Sequence, residues 1–206
     1  MPKRLRDEPI YLAPNILGLR DDQYNPIITD LRTNTRLDPY SIDDKILIYK
    51  RQVEEWFLNR AISLCRRKNN NFIVVMIATS YIEGVEQYRT GRESNGRSRQ
   101  IFSDGIRRIF ELQNVSDNQL ANLYRHLRCG LFHNGMSGDA IVLNRRLKNA
   151  IEFSNHGTID INPSMFLSAI IQDFNQYISD LNNHNNMELR NHFDGMLLQP
   201  LKIVQN

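Results

Sequence analysis

Leu123-Tyr124-Arg125-His126-Leu127-Arg128-Cys129-Gly130-Leu131-Phe132-His133-Asn134-Gly135 is the segment on which the reading of this chain turns. Leu120, Leu123, Tyr124, Leu127 and Leu131 fall on one stripe, which predicts an amphipathic helix over about 117–134. Ser116 with Gln119 supplies a capping box at its start, and Gly135 supplies its stop. Arg128 and His133 stand five positions apart on this helix. At roughly 100° per residue an α-helix holds them about 140° apart, so they border one groove without sharing a narrow face. His133 falls in the last turn, where unpaired carbonyls favour an imidazolium, and a histidine there can exchange a proton near neutral pH.

Upstream, a hydrophobic helix is expected from Phe72 to about Tyr88, carrying Glu83. Before it, Ile42, Ile46, Tyr49, Val53, Trp56 and Phe57 mark a long helix from the cap Ser41 to about Arg67. A further helix is expected over about 101–112, after the basic connection Thr90–Arg99, which reads as a mobile loop. Residues 1–41 hold five of the seven prolines and no sustained period, so they read as an extended N-terminal arm. Downstream, residues 139–161 contain short apolar or alternating runs bounded by Asn, Gly and Ser, which predict two or three small strands with a turn at Asn155-His156-Gly157. Pro163 opens a helix through Leu181, and a shorter one follows over about 187–198. The fold class is therefore mostly α, a four- to five-helix bundle spanning 42–206 with a small β insertion after the motif helix.

Composition narrows the function classes. Apolar residues make up 41% and charged residues 24% of the 206 positions, which excludes a disordered chain. The longest apolar run, Phe72 to Ala78, is too short to span a bilayer, and the first residues lack the apolar stretch of a signal peptide, so a cytoplasmic protein without membrane association is expected. Two cysteines, Cys65 and Cys129, cannot form a disulfide framework or a four-ligand zinc site. The net charge is only +3, yet 20 arginines stand against 6 lysines. Guanidinium grips phosphate in a fork, so a nucleic-acid role would have to come from local placement of arginines. Arg89, Arg92, Arg97 and Arg99, with Arg107 and Arg108 behind them, form the candidate phosphate-contacting set, the other reading being a solvated surface.

The Arg-Cys-Gly-Leu-Phe-His-Asn-Gly segment closing an amphipathic helix, preceded by a hydrophobic helix with Glu83 and followed by another helix, resembles the HEPN superfamily over residues 42–182. The resemblance implies a helical bundle, often a homodimer, and in many members a metal-independent endoribonuclease whose motif is Arg, four to six residues, His. It puts Arg128 and His133 at the catalytic pair, next to the matching pair of a second subunit, with no cofactor and with RNA as substrate. A place in defence or toxin-type systems, with a cognate partner protein, is implied in the same way. The other function left open is a non-catalytic HEPN-like module that binds a nucleotide, RNA or a partner protein.

Supporting residues are Glu83, Arg125, His126 and Asn134. Glu83 either orients Arg128 across the bundle or pairs with some neighbouring arginine. His126 lies within about 20° of His133 by α-helical geometry, but seven residues is too long a step for common helical metal ligation, and no metal site is expected. Cys129 reads as a small packing residue at a close helix contact, and Gly130 beside it points to the approach of another backbone.

Overall fold

The computed structural model describes residues 5–112, 114–154 and 156–198, the side chains of Asn134 and Leu198 excepted. More than half of these residues are helical. The chain divides into two compact units. Unit one comprises Met1–Phe57, Tyr88–Gly91 and Tyr177–Asn206, and unit two comprises Leu58–Gln87 and Arg92–Gln176. Two helices, α3 (Asn71–Thr90) and α6 (Pro163–Asn182), contribute residues to both.

Within unit one, the arm expected over 1–41 is corrected to a folded sheet. Strands β1 (Ile10–Ala13), β2 (Ile16–Arg20), β3 (Pro26–Asp30) and β4 (Thr35–Leu37) form an antiparallel meander in chain order. Alternation is present but disguised. Ile16 lies opposite Asp30 and Gly18 opposite Ile28, and all four are buried. Only two of those four positions are apolar side chains. Gly18 is there because Leu5 and Leu12 fill the space a side chain would take: a Cβ would come within 2.7 Å of both. Asp30 can be buried because Arg51 of helix α1 (Ile42–Arg51) grips both its carboxylate oxygens, at 2.7 and 2.5 Å. Turns at Asn15 and Asn34 use left-handed backbone, with φ of 58° and 54°, which asparagine tolerates well.

Helix α1 starts where Ser41 Oγ accepts from the Asp44 amide at 3.3 Å. Its apolar face lies on the sheet, so that Leu12, Ala13, Ile16, Ile28, Leu37 and Ile48 form one core. Each fully buried aliphatic chain contributes about 1.5–3 kcal/mol relative to exposure. A second cluster centres on Tyr49, whose ring lies 5.0 Å from Tyr88, 5.4 Å from Phe193 and 6.3 Å from Tyr177. The final helix, α7 (Met187–Leu198), is fixed to α1 by two ion pairs: Lys45, 1% exposed, with Asp194 at 2.6 Å, and Arg190 with Asp43 at 2.7 Å.

The helix begun by α1 continues through a π-helical segment, Gln52–Leu58, into α2 (Asn59–Cys65). In unit two, α2, the first part of α3, α4 (Ser98–Ile109), α5 (Asp117–Leu123) and the first part of α6 bury Ala61, Ala78, Ile82, Phe102, Ile106, Leu123, Phe166 and Ile170, and Leu127 is buried just after α5. Gly105 allows α4 to approach α3 closely, since a Cβ there would meet Ile82 at 2.8 Å. Arg108 ties α4 to α3 through Glu86 at 2.9 Å and to α6 through Asp173, which also accepts from Tyr81 at 2.9 Å. The strands predicted over 139–161 are present as β5 (Ile141–Leu143), β6 (Ile151–Phe153) and β7 (Ile159–Ile161). They form a mixed sheet in the order β5-β7-β6, with β5 parallel to β7. Of the predicted turn between β6 and β7, Asn155 lies outside the described residues, and Gly157 has φ 85°. Asn162 then caps α6, its Oδ1 accepting from the Ser164 amide at 3.0 Å.

The Asp30–Arg51 pair makes unit one sensitive to acid. The guanidinium holds the Asp30 carboxyl at about 2, below its ordinary 3.8, so the folded state favours the carboxylate. Its contribution is complete above about pH 4 and is lost as pH falls from there through 2. Asp30→Asn is expected to cost about 2 kcal/mol at pH 6, with the deficit shrinking toward pH 2. Urea melts followed by the single tryptophan, Trp56, which belongs to unit one, measure it.

Candidate active site

The capping box predicted at Ser116 is present: Ser116 Oγ accepts from the Gln119 amide at 3.3 Å and Gln119 Oε1 from the Ser116 amide at 3.0 Å. After seven α-helical residues, Asp117–Leu123, the helix changes its repeat. Tyr124–Asn134 is π-helical and ends at Gly135, whose φ is 70°. A π-helix bonds residue i to residue i+5, with roughly 4.4 residues per turn, so side chains five apart stack on nearly one face. The α-helical separation of about 140° between Arg128 and His133 is therefore replaced by shared placement on one face. The same repeat parts the two histidines, because seven residues amount to about 1.6 turns. His126 turns instead to Asp139, with Nδ1 3.3 Å from Oδ1.

The chain folds back over this segment directly after Gly135. The Gly138 amide donates to the His126 carbonyl at 2.7 Å. A Cβ on Gly130 would lie 2.8 Å from the Met136 carbonyl oxygen and 3.0 Å from the Gly138 nitrogen. The backbone that Gly130 admits is thus the chain's own return loop. Gly138 is equally constrained, since a Cβ there would fall on the His126 ring.

Arg128 is held from α3. Its Nε donates to Glu83 Oε2 at 2.9 Å, and Nη2 lies 2.8 Å from the same oxygen. The guanidinium also sits over two rings, 5.7 Å from the centre of Tyr124 and 5.4 Å from that of Phe132. Tyr124 packs edge-on against Phe102 at 5.6 Å and hydrogen-bonds Cys129, which is again five residues on. Burial, and secondarily that hydrogen bond, raise the Tyr124 hydroxyl's pKa above its ordinary value. His133 and Phe132 are exposed. The arrangement presents a fixed cation on the segment that also carries a solvent-accessible imidazole. That is sufficient to grip a phosphate and move a proton.

Of the other expected residues, Arg125 is exposed on the same segment, and the side chain of Asn134 lies outside the described residues. Arg92, Arg97 and Arg99 are exposed in unit two. Arg107 is bonded to Asp117 at 2.6 Å, and Arg108 is committed to Glu86 and Asp173. Arg89 belongs to unit one, its guanidinium 4.6 Å from the Tyr177 ring centre and 3.8 Å from Asp180. Among the described residues, no three His, Cys, Asp or Glu side chains cluster so as to hold a metal ion. Nor is any helix of those residues long and apolar enough to cross a membrane. Sequence reasoning placed Tyr124 on the apolar stripe and gave Phe132 no role. Both lie four residues from Arg128, a spacing at which helical side chains meet, so that step was the available signal.

No known protein family, curated protein or solved structure matches the chain.

Two glycine substitutions separate packing at the site from helix propensity. Gly130→Ala is expected to cost about 1–3 kcal/mol, because the obstructing atoms are backbone. Gly84→Ala, inside α3 with nothing within 4 Å of its Cβ, is expected to gain about 0.5–1 kcal/mol. Paired thermal melts monitored by circular dichroism measure both shifts.

Proposed function

We propose that this chain is a HEPN-type, metal-independent endoribonuclease in which Arg128 and His133 act on the scissile phosphate. The observation that carries the reading is their five-residue spacing on a π-helical segment, with Glu83 fixing the guanidinium beside an exposed imidazole. Arg128 stabilises charge developing on the phosphate. His133 takes the proton of the ribose 2′-hydroxyl as its oxygen attacks phosphorus. The 5′-oxygen leaves with a proton, and a 2′,3′-cyclic phosphate end remains. A homodimer, as the resemblance implies, would supply a second His133 to deliver that leaving-group proton. The role in defence or toxin-type systems rests on the resemblance alone. Arg92, Arg97, Arg99 and Arg125 are exposed on unit two, as are Arg60, Arg66, Arg67 and Arg146, and are open to further phosphates.

RNA incubated with the protein in excess EDTA is expected to be cut to 2′,3′-cyclic phosphate ends, identified by mass spectrometry, while DNA of the same sequence stays intact. His133→Ala should lower the rate by ~10²- to 10⁴-fold. Arg128→Ala should lower it by ~10²- to 10³-fold. Equal cleavage by wild type and both variants, or comparable cleavage of DNA, defeats the reading. RNA bound but uncut by the wild type would establish the non-catalytic binding module instead.

A further inference from the structure

Phe132 is a large apolar side chain with 48% of its surface open, although it stands in the middle of the site and immediately before His133. Burial does not explain it. One side of its ring is engaged by the Arg128 guanidinium at 5.4 Å, and Glu83 holds that guanidinium in place. An anchored cation next to an open aromatic ring offers one nucleotide a charged partner for its phosphate and a flat partner for its base. An aromatic ring can receive a base only if that base is unpaired and unstacked, since a duplex keeps its bases covered.

We infer that Phe132 is the base platform of this site: an unpaired nucleobase adjoining the phosphate held by Arg128 stacks on the exposed ring, and this contact selects purines over pyrimidines. The inference deepens the phosphate reading of Arg128 and rests on it. It assigns a specificity-determining role to a residue that does no chemistry. Purine preference follows because stacking strength grows with the area of the overlapping rings, and no hydrogen-bond readout of the base is needed. The neighbouring Tyr124 cannot take the same part, since its ring is packed against Phe102 and its hydroxyl is bonded to Cys129. The competing occupant of an exposed phenylalanine is a second copy of the chain.

Binding is the readout that isolates this role from catalysis. Fluorescein-labelled hexamers of riboadenylate, ribocytidylate and an abasic ribose-phosphate backbone are titrated into the His133→Ala protein, with anisotropy as the signal. Affinity is expected to fall in that order. Adding Phe132→Leu, which keeps apolar bulk on an exposed site, should weaken riboadenylate binding by about 5- to 150-fold and leave the abasic backbone unchanged. Phe132→Trp should retain the order, and the fluorescence of the introduced indole should be quenched by riboadenylate but not by the abasic backbone. Unchanged base preference in Phe132→Leu overturns the inference, as does an indole emission in Phe132→Trp that is blue-shifted by dimerisation and insensitive to RNA. Base-dependent binding lost in Phe132→Leu, with no cleavage by the wild type, would leave the platform standing and remove the nuclease. Cleavage that needs Arg128 and His133 yet ignores Phe132→Leu would do the reverse.

Discussion

Between Tyr124 and Asn134 the backbone closes its hydrogen bonds five residues apart, and the composition of the candidate site depends on that repeat. With α-helical spacing, His126 would fall beside His133 and Arg128 would point elsewhere. With π-helical spacing, Arg128 gains His133 as its neighbour, Tyr124 gains Cys129, and His126 is released to Asp139. π-Helical turns are less common than α-helical ones, and the chain holds a second such segment at Gln52–Leu58. The return loop that follows Tyr124–Asn134 is compatible with that segment only because positions 130 and 138 carry no side chain.

Arginine, the commonest cation of the chain, performs several distinct tasks. Arg51 offsets the cost of burying Asp30, Arg108 joins three helices through Glu86 and Asp173, and Arg145 bonds Asn71 at 2.6 Å and the Cys65 carbonyl at 2.7 Å. These three sites use the planar fork of guanidinium, which a lysine could not replace. They also reduce the number of arginines available to nucleic acid. The unit that holds Arg128 still exposes Arg92, Arg97, Arg99 and Arg125, and with them Arg60, Arg66, Arg67 and Arg146.

Helices were legible in the sequence wherever an apolar stripe met a cap, as at Ser41, Ser116 and Pro163, because local propensity and tertiary burial agree there. The meander of β1 to β4 was not legible. Its inward face is occupied by Gly18 and Asp30 as well as by Ile16 and Ile28, and both exceptions depend on partners distant in sequence or hidden from a pattern of period two. The irregular register between Tyr11 and Ala13 breaks the alternation further. At the candidate site, the Glu83–Arg128 pairing was one of two readings open in the sequence, whereas the placement of Arg128 relative to His133 was not legible. Helical periodicity in a sequence assumes 3.6 residues per turn, and apolar positions such as Leu123, Leu127 and Leu131 fit that assumption well enough to conceal a local change of repeat.

Arg128 and His133 share a face because the segment is π-helical, and the catalytic pairing proposed for them follows from that. Through-hydrogen-bond couplings between amide nitrogens and carbonyl carbons, measured by NMR on the isotopically labelled full chain, test it most directly. The π repeat predicts that the His133 amide couples to the Arg128 carbonyl, five residues back, with the same step repeated along 124–134. A coupling from the His133 amide to the Cys129 carbonyl, four residues back, would restore the α-helical separation of about 140° and contradict the shared face.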